Sequence, residues 1–135
     1  MRAAARQMRD ANVGALVAVS EEGRPIAVLT DRDLALHALR AERAPDGLRA
    51  IEAASRPVVT LPRSSDLMAA ARRMSEAGIR RLPIVDGAGT LVGLLAADDL
   101  LAVLGEDLHR LAEATAHGFE LEAQPPSSTA LFGKE

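Results

Sequence analysis

An internal repeat at a constant spacing of 66 residues constrains this 135-residue chain more than any other feature. Ala3 to Leu34 lies over Ala69 to Leu100 without a gap, and 12 of the 32 positions are identical. Met8 falls on Met74, Leu16 on Leu82, Gly23 on Gly89 and Asp33 on Asp99. Each copy reads as a small-residue helix, a strand, a glycine-containing turn, a second strand and an acidic helix start. A unit of this length cannot bury its own apolar face. The two copies must therefore pack on each other, and the groove between them is the first place to look for function.

Composition narrows the classes that such a pair can serve. A hydrophobic share of 48% is that of a folded chain, and the length suits one domain with a single core. No apolar run approaches the roughly 18 residues that cross a bilayer, and no secretory signal opens the sequence. Membrane insertion is not expected, and a cytoplasmic location is the default. There is no cysteine, hence no disulfide, no thiolate nucleophile and no cysteine-based zinc site. A net charge of −3 offers no general attraction to nucleic acid. The only aromatic residues, Phe119 and Phe132, lie beyond the repeats, so base stacking on rings is excluded there. A flat ligand in the groove would lie between aliphatic side chains. Fifteen of the 16 basic residues are arginine, a bias that we attribute to bacterial-like genomic composition.

Along the second copy, Val58 to Thr60 reads as a short strand between Pro57 and Pro62. Asp66 caps a helix whose apolar face is Leu67, Ala70, Ala71, Met74 and Ala77, closed by Gly78. Leu82 to Val85 and Leu91 to Leu95 form a hairpin around Asp86–Gly89. Asp98 and Asp99 precede a helix over Leu100 to Leu104. The first copy repeats this order, with strands at Ala15 to Val19 and Ile26 to Leu29, but has no equivalent of Val58–Thr60. Thr30 or Asp31 caps its second helix, over Leu34 to Leu39. The expected divisions are 1–43 for the first repeat, 44–56 for a linker with a helical turn near Leu48 to Ala54, and 57–104 for the second repeat. A separate amphipathic helix follows at 105–117, with Leu108 and Leu111 inward. The tail, 118–135, is expected to be mobile or covered by a partner.

Taken together, the two copies resemble the halves of a CBS-domain pair, the regulatory module named for cystathionine β-synthase. The resemblance covers Ala3 to Leu104. It implies an α/β fold of tandem repeats, each a small three-stranded sheet with two helices, related by a pseudo-twofold axis with two clefts between them. It also implies an adenine nucleotide as ligand, no required cofactor, and a homodimer. The ribose-binding pattern of the family is present as Ala27-Val28-Leu29-Thr30-Asp31-Arg32-Asp33. A carboxylate at a helix start can accept hydrogen bonds from two vicinal hydroxyls, with a threonine hydroxyl beside it, and the helix end favours a phosphate. In the second copy Asp99 remains, but Ala96 has replaced the threonine. By resemblance, Val58, Val59 and Thr60 complete the Thr30/Asp33 cleft. Val13, Gly14, Ala15 and the segment Ile79 to Leu82 with Pro83 supply its walls, and Arg32, Arg80 and Arg81 lie near the phosphates. The cleft of Asp99 and Ala96 is the weaker one.

Simpler readings stand beside these. Thr30 and Asp33 also form an ordinary capping pair, and Arg80 and Arg81 suit a solvated strand edge. Asp98 and Asp99 supply too few oxygens for a cation. His37, His109 and His117 lack the companions that zinc requires. No phosphate loop or serine-histidine-acid set points to an enzyme. The expectation is a regulatory module whose repeats are reoriented by nucleotide, signalling to a protein partner. The alternatives are a ligand-independent dimerisation and interaction module, or a fragment of a larger protein carrying such a pair.

Overall fold

The computed structural model describes the backbone of residues 1–40 and 49–122, and side chains among these up to residue 117. Residues 44–47 of the expected linker, the chain beyond 122 with Phe132, and the side chain of Phe119 lie outside the described residues.

The repeat seen in the sequence is reproduced in local geometry at the same offset. Helix α1 (Arg2–Ala11) ends on Asn12 in the left-handed region (φ 52°), and α4 (Leu67–Ala77) ends on Gly78 (φ 62°). Beyond each terminator an amide turns back onto the buried methionine: Val13 N–H on the Met8 carbonyl at 2.9 Å, Ile79 N–H on that of Met74 at 3.0 Å. Met8 and Met74 thereby fix where the next strand begins. Asp66 caps α4 as expected, its Oδ1 accepting the Ala69 N–H at 2.7 Å.

The hairpins β1 (Ala15–Val19) with β2 (Pro25–Thr30), and β4 (Arg81–Val85) with β5 (Leu91–Ala96), share one register. Ala15 faces Thr30 and Arg81 faces Ala96. Both ladders slip at the equivalent step, between Ala18 and Val19 and between Ile84 and Val85. Such an irregularity re-aims the strand locally. Gly23 (φ 77°) and Gly89 (φ 81°) make the turns, a conformation that glycine adopts without the Cβ penalty. Met8, Leu29 and Leu34 form a buried cluster on which Met1, Ala4 and Leu16 pack. In the second repeat Ala70, Met74, Leu82, Val85 and Leu100 are buried. Helix α2 (Asp31–Arg40) follows β2 directly, and α3 (Ala50–Ala53) stands between the repeats.

Two backbone hydrogen bonds tie the first copy to the chain that follows it, one from the linker and one from the second copy. Ser55 N–H donates to the Val28 carbonyl, and Leu91 N–H to that of Gly23, both at 2.9 Å. The first sheet has two strands, β1-β2, among the described residues. The second has three, in the order β3-β4-β5, with β3 (Leu61–Pro62) parallel to β4.

The position of β3 corrects the strand expected at Val58–Thr60. Leu61 pairs with Ile84 and Pro62 with Val85, and the Arg63 N–H donates to the Val85 carbonyl at 2.8 Å. Alternate residues of β4 serve a parallel neighbour. The preceding donor on that side would therefore be residue 83, which is proline and has no amide. The ladder cannot extend back past Leu61, and Val58 to Thr60 leave the sheet. Pro62 is tolerated in β3 because it alternates with the residue that bonds.

The C-terminal helix is also corrected. Leu100–Leu104 and Gly105–Ala116, read from sequence as separate helices, belong to one helix, α5 (Ala97–Glu122). An internal glycine costs only about 1 kcal/mol against alanine, and good helix formers surround Gly105. Leu108 and Leu111, expected inward, are exposed. The chain divides into two compact units after Leu100, the second of which begins within this helix at Leu101.

Candidate functional site

The start of α2 follows from three atoms. Thr30 Oγ1 accepts the Asp33 N–H at 3.1 Å, while Asp33 Oδ2 accepts both the Thr30 N–H at 3.0 Å and its hydroxyl at 2.7 Å. This reciprocal capping satisfies two otherwise orphaned donors. It fixes the Asp33 carboxylate at the end of β2 through Oδ2. In the second repeat the same place holds one contact, Ala96 N–H to Asp99 Oδ2 at 3.3 Å. Without a hydroxyl, Ala96 offers nothing in return.

Between the repeats lies a cleft of about 100 Å³ lined by Val28, Thr30, Ser55, Pro57, Val58, Val59, Ile79 and Arg81. Its residues come from β2 of the first repeat, from the segment before β3, and from the entry to β4. Thr30, Val58, Val59 and Arg81 are thus brought together, whereas Asp33, though hydrogen-bonded to Thr30, is not part of this lining. The segment freed from the sheet by Pro83 is the one that supplies Val58 and Val59. The walls are mostly aliphatic, which suits a flat heteroaromatic ring, and a few polar groups fix its orientation. Arg81 Nη1 donates to the Arg80 carbonyl at 3.1 Å and stands 3.8 Å from Asp98 Oδ2. Its charge can therefore turn between Asp98 and an anion in the cleft.

Other expected residues fall elsewhere. Val13 and Gly14 line a larger cavity of about 470 Å³ with Met8, Arg9, Asn12, Asp31 and Leu34. That cavity lies within the first repeat, and its Arg9 guanidinium is engaged by Asp10 at 2.7 Å. We place the candidate site in the smaller cleft because residues of both repeats converge there on Thr30; Asp33 itself lines a separate cavity of about 190 Å³ with Leu36, His37, Arg40, Glu52 and Ala53. Ala15 is buried, paired with Thr30 across the hairpin. Pro83 is wholly buried. Thr60 is half-buried outside the cleft lining, and Arg32 is exposed, its N–H held by Asp31 Oδ1 at 2.7 Å. The Arg80 side chain is exposed, while its carbonyl receives the Ala97 N–H at 3.0 Å. Sequence reasoning did not single out Ser55 or Val28. Val28 sits inside the ribose pattern, where its alternation with Ala27 and Leu29 could have marked it as facing the other repeat. Ser55 carries no signal in the sequence.

Among the described residues no group of three or more histidines, aspartates or glutamates could hold a metal ion. None of the described helices is long and apolar enough to cross a membrane.

Two small α/β repeats, with a cleft between them that Thr30 lines, define a tandem-repeat fold. The sequence profile of the CBS domain matches residues 1–40 and 48–106, and the chain belongs to the CBS-domain family. Protein MK0525 of Methanopyrus kandleri is 37% identical over 99 residues, which are 73% of this chain and 50% of that protein. The chain thus spans half the length of that relative. The CBS-domain protein PAE2072 of Pyrobaculum aerophilum, solved in complex with AMP, superposes with a TM-score of 0.67 at 31% identity, covering 78% of this chain and 82% of that one. The cytosolic domain of the Mg2+ channel MgtE, solved with ATP, gives 0.60 at 31%, covering 75% and 40%.

Proposed function

We propose that this CBS pair is a regulatory module that binds an adenine nucleotide in the Thr30/Asp33 cleft and passes that binding on as a change in the relative orientation of its repeats. The observation that carries this reading is the convergence of Thr30, Val58, Val59 and Arg81 on one cleft, with Asp33 hydrogen-bonded to Thr30 at the end of β2. Once the cleft widens, the Asp33 carboxylate beside Thr30 would accept the ribose hydroxyls, the aliphatic walls would hold the adenine, and Arg81 would meet the phosphate. The AMP and ATP complexes of the two structural relatives support the choice of ligand class. A cleft of about 100 Å³ is smaller than the roughly 300 Å³ at which small-molecule pockets begin. Binding must therefore widen it, and ligand affinity for the wider state is what shifts the repeats. Self-association into a homodimer and a cytoplasmic protein partner belong to the same reading, as does the absence of a catalytic role or required cofactor.

The narrowness of the cleft also favours a second reading, a ligand-independent interaction module. Calorimetric titration with AMP, ADP, ATP and S-adenosylmethionine separates the two. The expected result is one site per chain, lost in Asp33→Ala and kept in Asp99→Ala. No heat from any of the four ligands selects the interaction module, and loss through Asp99→Ala instead moves the site to the other cleft.

A further inference from the structure

Among the described residues the outer edge of β1 is open, whereas the matching edge of β4 is covered by β3. At the repeat offset β1 corresponds to β4 and β2 to β5, and nothing described stands beside β1 in the place of β3. The difference shows in exposure. Leu82 and Val85 of β4 are 0% and 9% exposed, whereas Leu16 is half-buried and Val19 is 44% exposed. A groove of about 290 Å³ runs along β1, lined by Leu16, Val17 and Ala18 with Ala4, Leu29 and Ile51. We propose that this edge binds an extended segment of a partner protein, which joins β1 as a parallel strand and sets one aliphatic side chain in the groove.

The strand itself admits a neighbour. Edge strands commonly refuse pairing through charges or proline, and Ala15–Val19 contains neither. Ala15, Val17 and Val19 hold the places of Arg81, Pro83 and Val85, the alternate residues of β4 whose backbone faces β3. Where Pro83 ends that ladder, Val17 has an amide, so a strand on β1 can gain one hydrogen bond more than β3 makes.

The second repeat also shows what fits. Leu61 is 9% exposed and pairs with Ile84, and two residues on the Arg63 N–H donates to the Val85 carbonyl. On β1 the place of Arg63 falls opposite Ser20, next to Glu21 and Glu22, where the second copy has Gly87 and Ala88. The occupant is therefore an extended segment with an aliphatic residue and, two positions later, Arg or Lys. Main-chain bonds supply its affinity and the groove its specificity. The exposed charges select the partner more than they tighten it. A second copy of this chain is not the occupant, because its own Leu61 to Arg63 is already committed to its β4.

This inference gives the protein partner of the proposed function a docking surface. It needs no nucleotide, so peptide and nucleotide titrations can fail independently. The test adds a fluorescein-labelled peptide of residues 58–64 to the full chain and follows fluorescence anisotropy. The expected result is saturable binding, weakened about tenfold or more by Leu61→Asp in the peptide. Arg63→Glu in the peptide should also weaken binding, and Glu21→Lys in the protein should restore it. Val17→Pro in the protein copies Pro83 of the second repeat, so the hairpin tolerates it, and the lost amide should lower affinity. In hydrogen exchange the Val17 and Val19 amides should exchange freely in the chain alone and be protected by the peptide. Protection in the chain alone would show the edge already occupied and overturn the proposal. No binding at millimolar peptide, or equal binding of the Leu61→Asp peptide, would overturn it as well.

Discussion

Asp33 Oδ2 accepts two hydrogen bonds from Thr30, one from the amide and one from the hydroxyl, at 3.0 and 2.7 Å. One carboxylate oxygen therefore organises the start of α2, and on the proposed function the same carboxylate would also meet the ribose. Stability and binding can be read separately at this pair. Thr30→Ala should cost about 1 kcal/mol in urea denaturation, the usual worth of such a cap. Asp33→Asn retains an acceptor for the cap but removes the charge that strengthens ribose contacts. It should weaken AMP binding about tenfold or more with a smaller loss of stability. Parallel losses in both measurements for both variants would show that the pair only caps.

The second repeat offers the reverse experiment. Ala96→Thr introduces the missing hydroxyl beside Asp99, whose present contact is a single bond of 3.3 Å. Completing the box should raise stability by about 0.5–1 kcal/mol, read as a higher denaturation midpoint at unchanged slope. No second nucleotide site should appear in calorimetry, because the hydroxyl alone does not rebuild a cleft.

Pro83 sets the width of the candidate cleft by ending the β3–β4 ladder. Pro83→Val restores a donor in a buried strand position and lets the chain before Leu61 rejoin the sheet. The new amide at 83 should be protected from hydrogen exchange, and AMP should bind more weakly as Val58 and Val59 are drawn away. An unprotected amide with unchanged affinity would refute this account of the strand boundary.

Glu22 gives a pH signature distant from the cleft. The Ser20 hydroxyl donates to Glu22 Oε2 at 2.7 Å, and this bond, followed by the Glu22 amide and the Arg24 charge, holds the carboxyl below its usual range. With the folded value depressed, the contribution to stability is present above the ordinary carboxylate value. It is lost as pH falls through the folded one. In Ser20→Ala the Glu22 titration followed by NMR should move upward; an unmoved curve would remove the hydroxyl as its main cause.

The repeat made most of the fold legible, because each unit carries its own signals within about 30 residues. Asp66, Gly78, Gly23 and Gly89 act through local backbone chemistry, which sequence displays directly. The boundary of β3 was not legible in this way. Val58 to Thr60 have strand composition, yet pairing is decided by a missing amide on Pro83, about 25 positions further along the chain. Leu108 and Leu111 were misplaced for a related reason: periodicity reveals an apolar face without revealing what covers it. In the candidate site, Thr30 and Asp33 were readable because motif and cap coincide. Ser55 joins the cleft only through its bond to Val28, a long-range contact that no local pattern encodes.

The bond from Leu91 N–H to the Gly23 carbonyl lies at the turn of the first hairpin, whereas Thr30 lies at that hairpin's far end. On the proposed function, a nucleotide beside Thr30 would act at one end of a hairpin whose other end is bonded to the opposite repeat. The Thr30 end is held as well, by the Ser55 N–H on the Val28 carbonyl two residues from Thr30, so widening there would have to strain that bond before the hairpin turned about the first. The Leu91 amide is the natural gauge of that rotation, since its resonance reports strain at the pivot without contact with whatever fills the cleft.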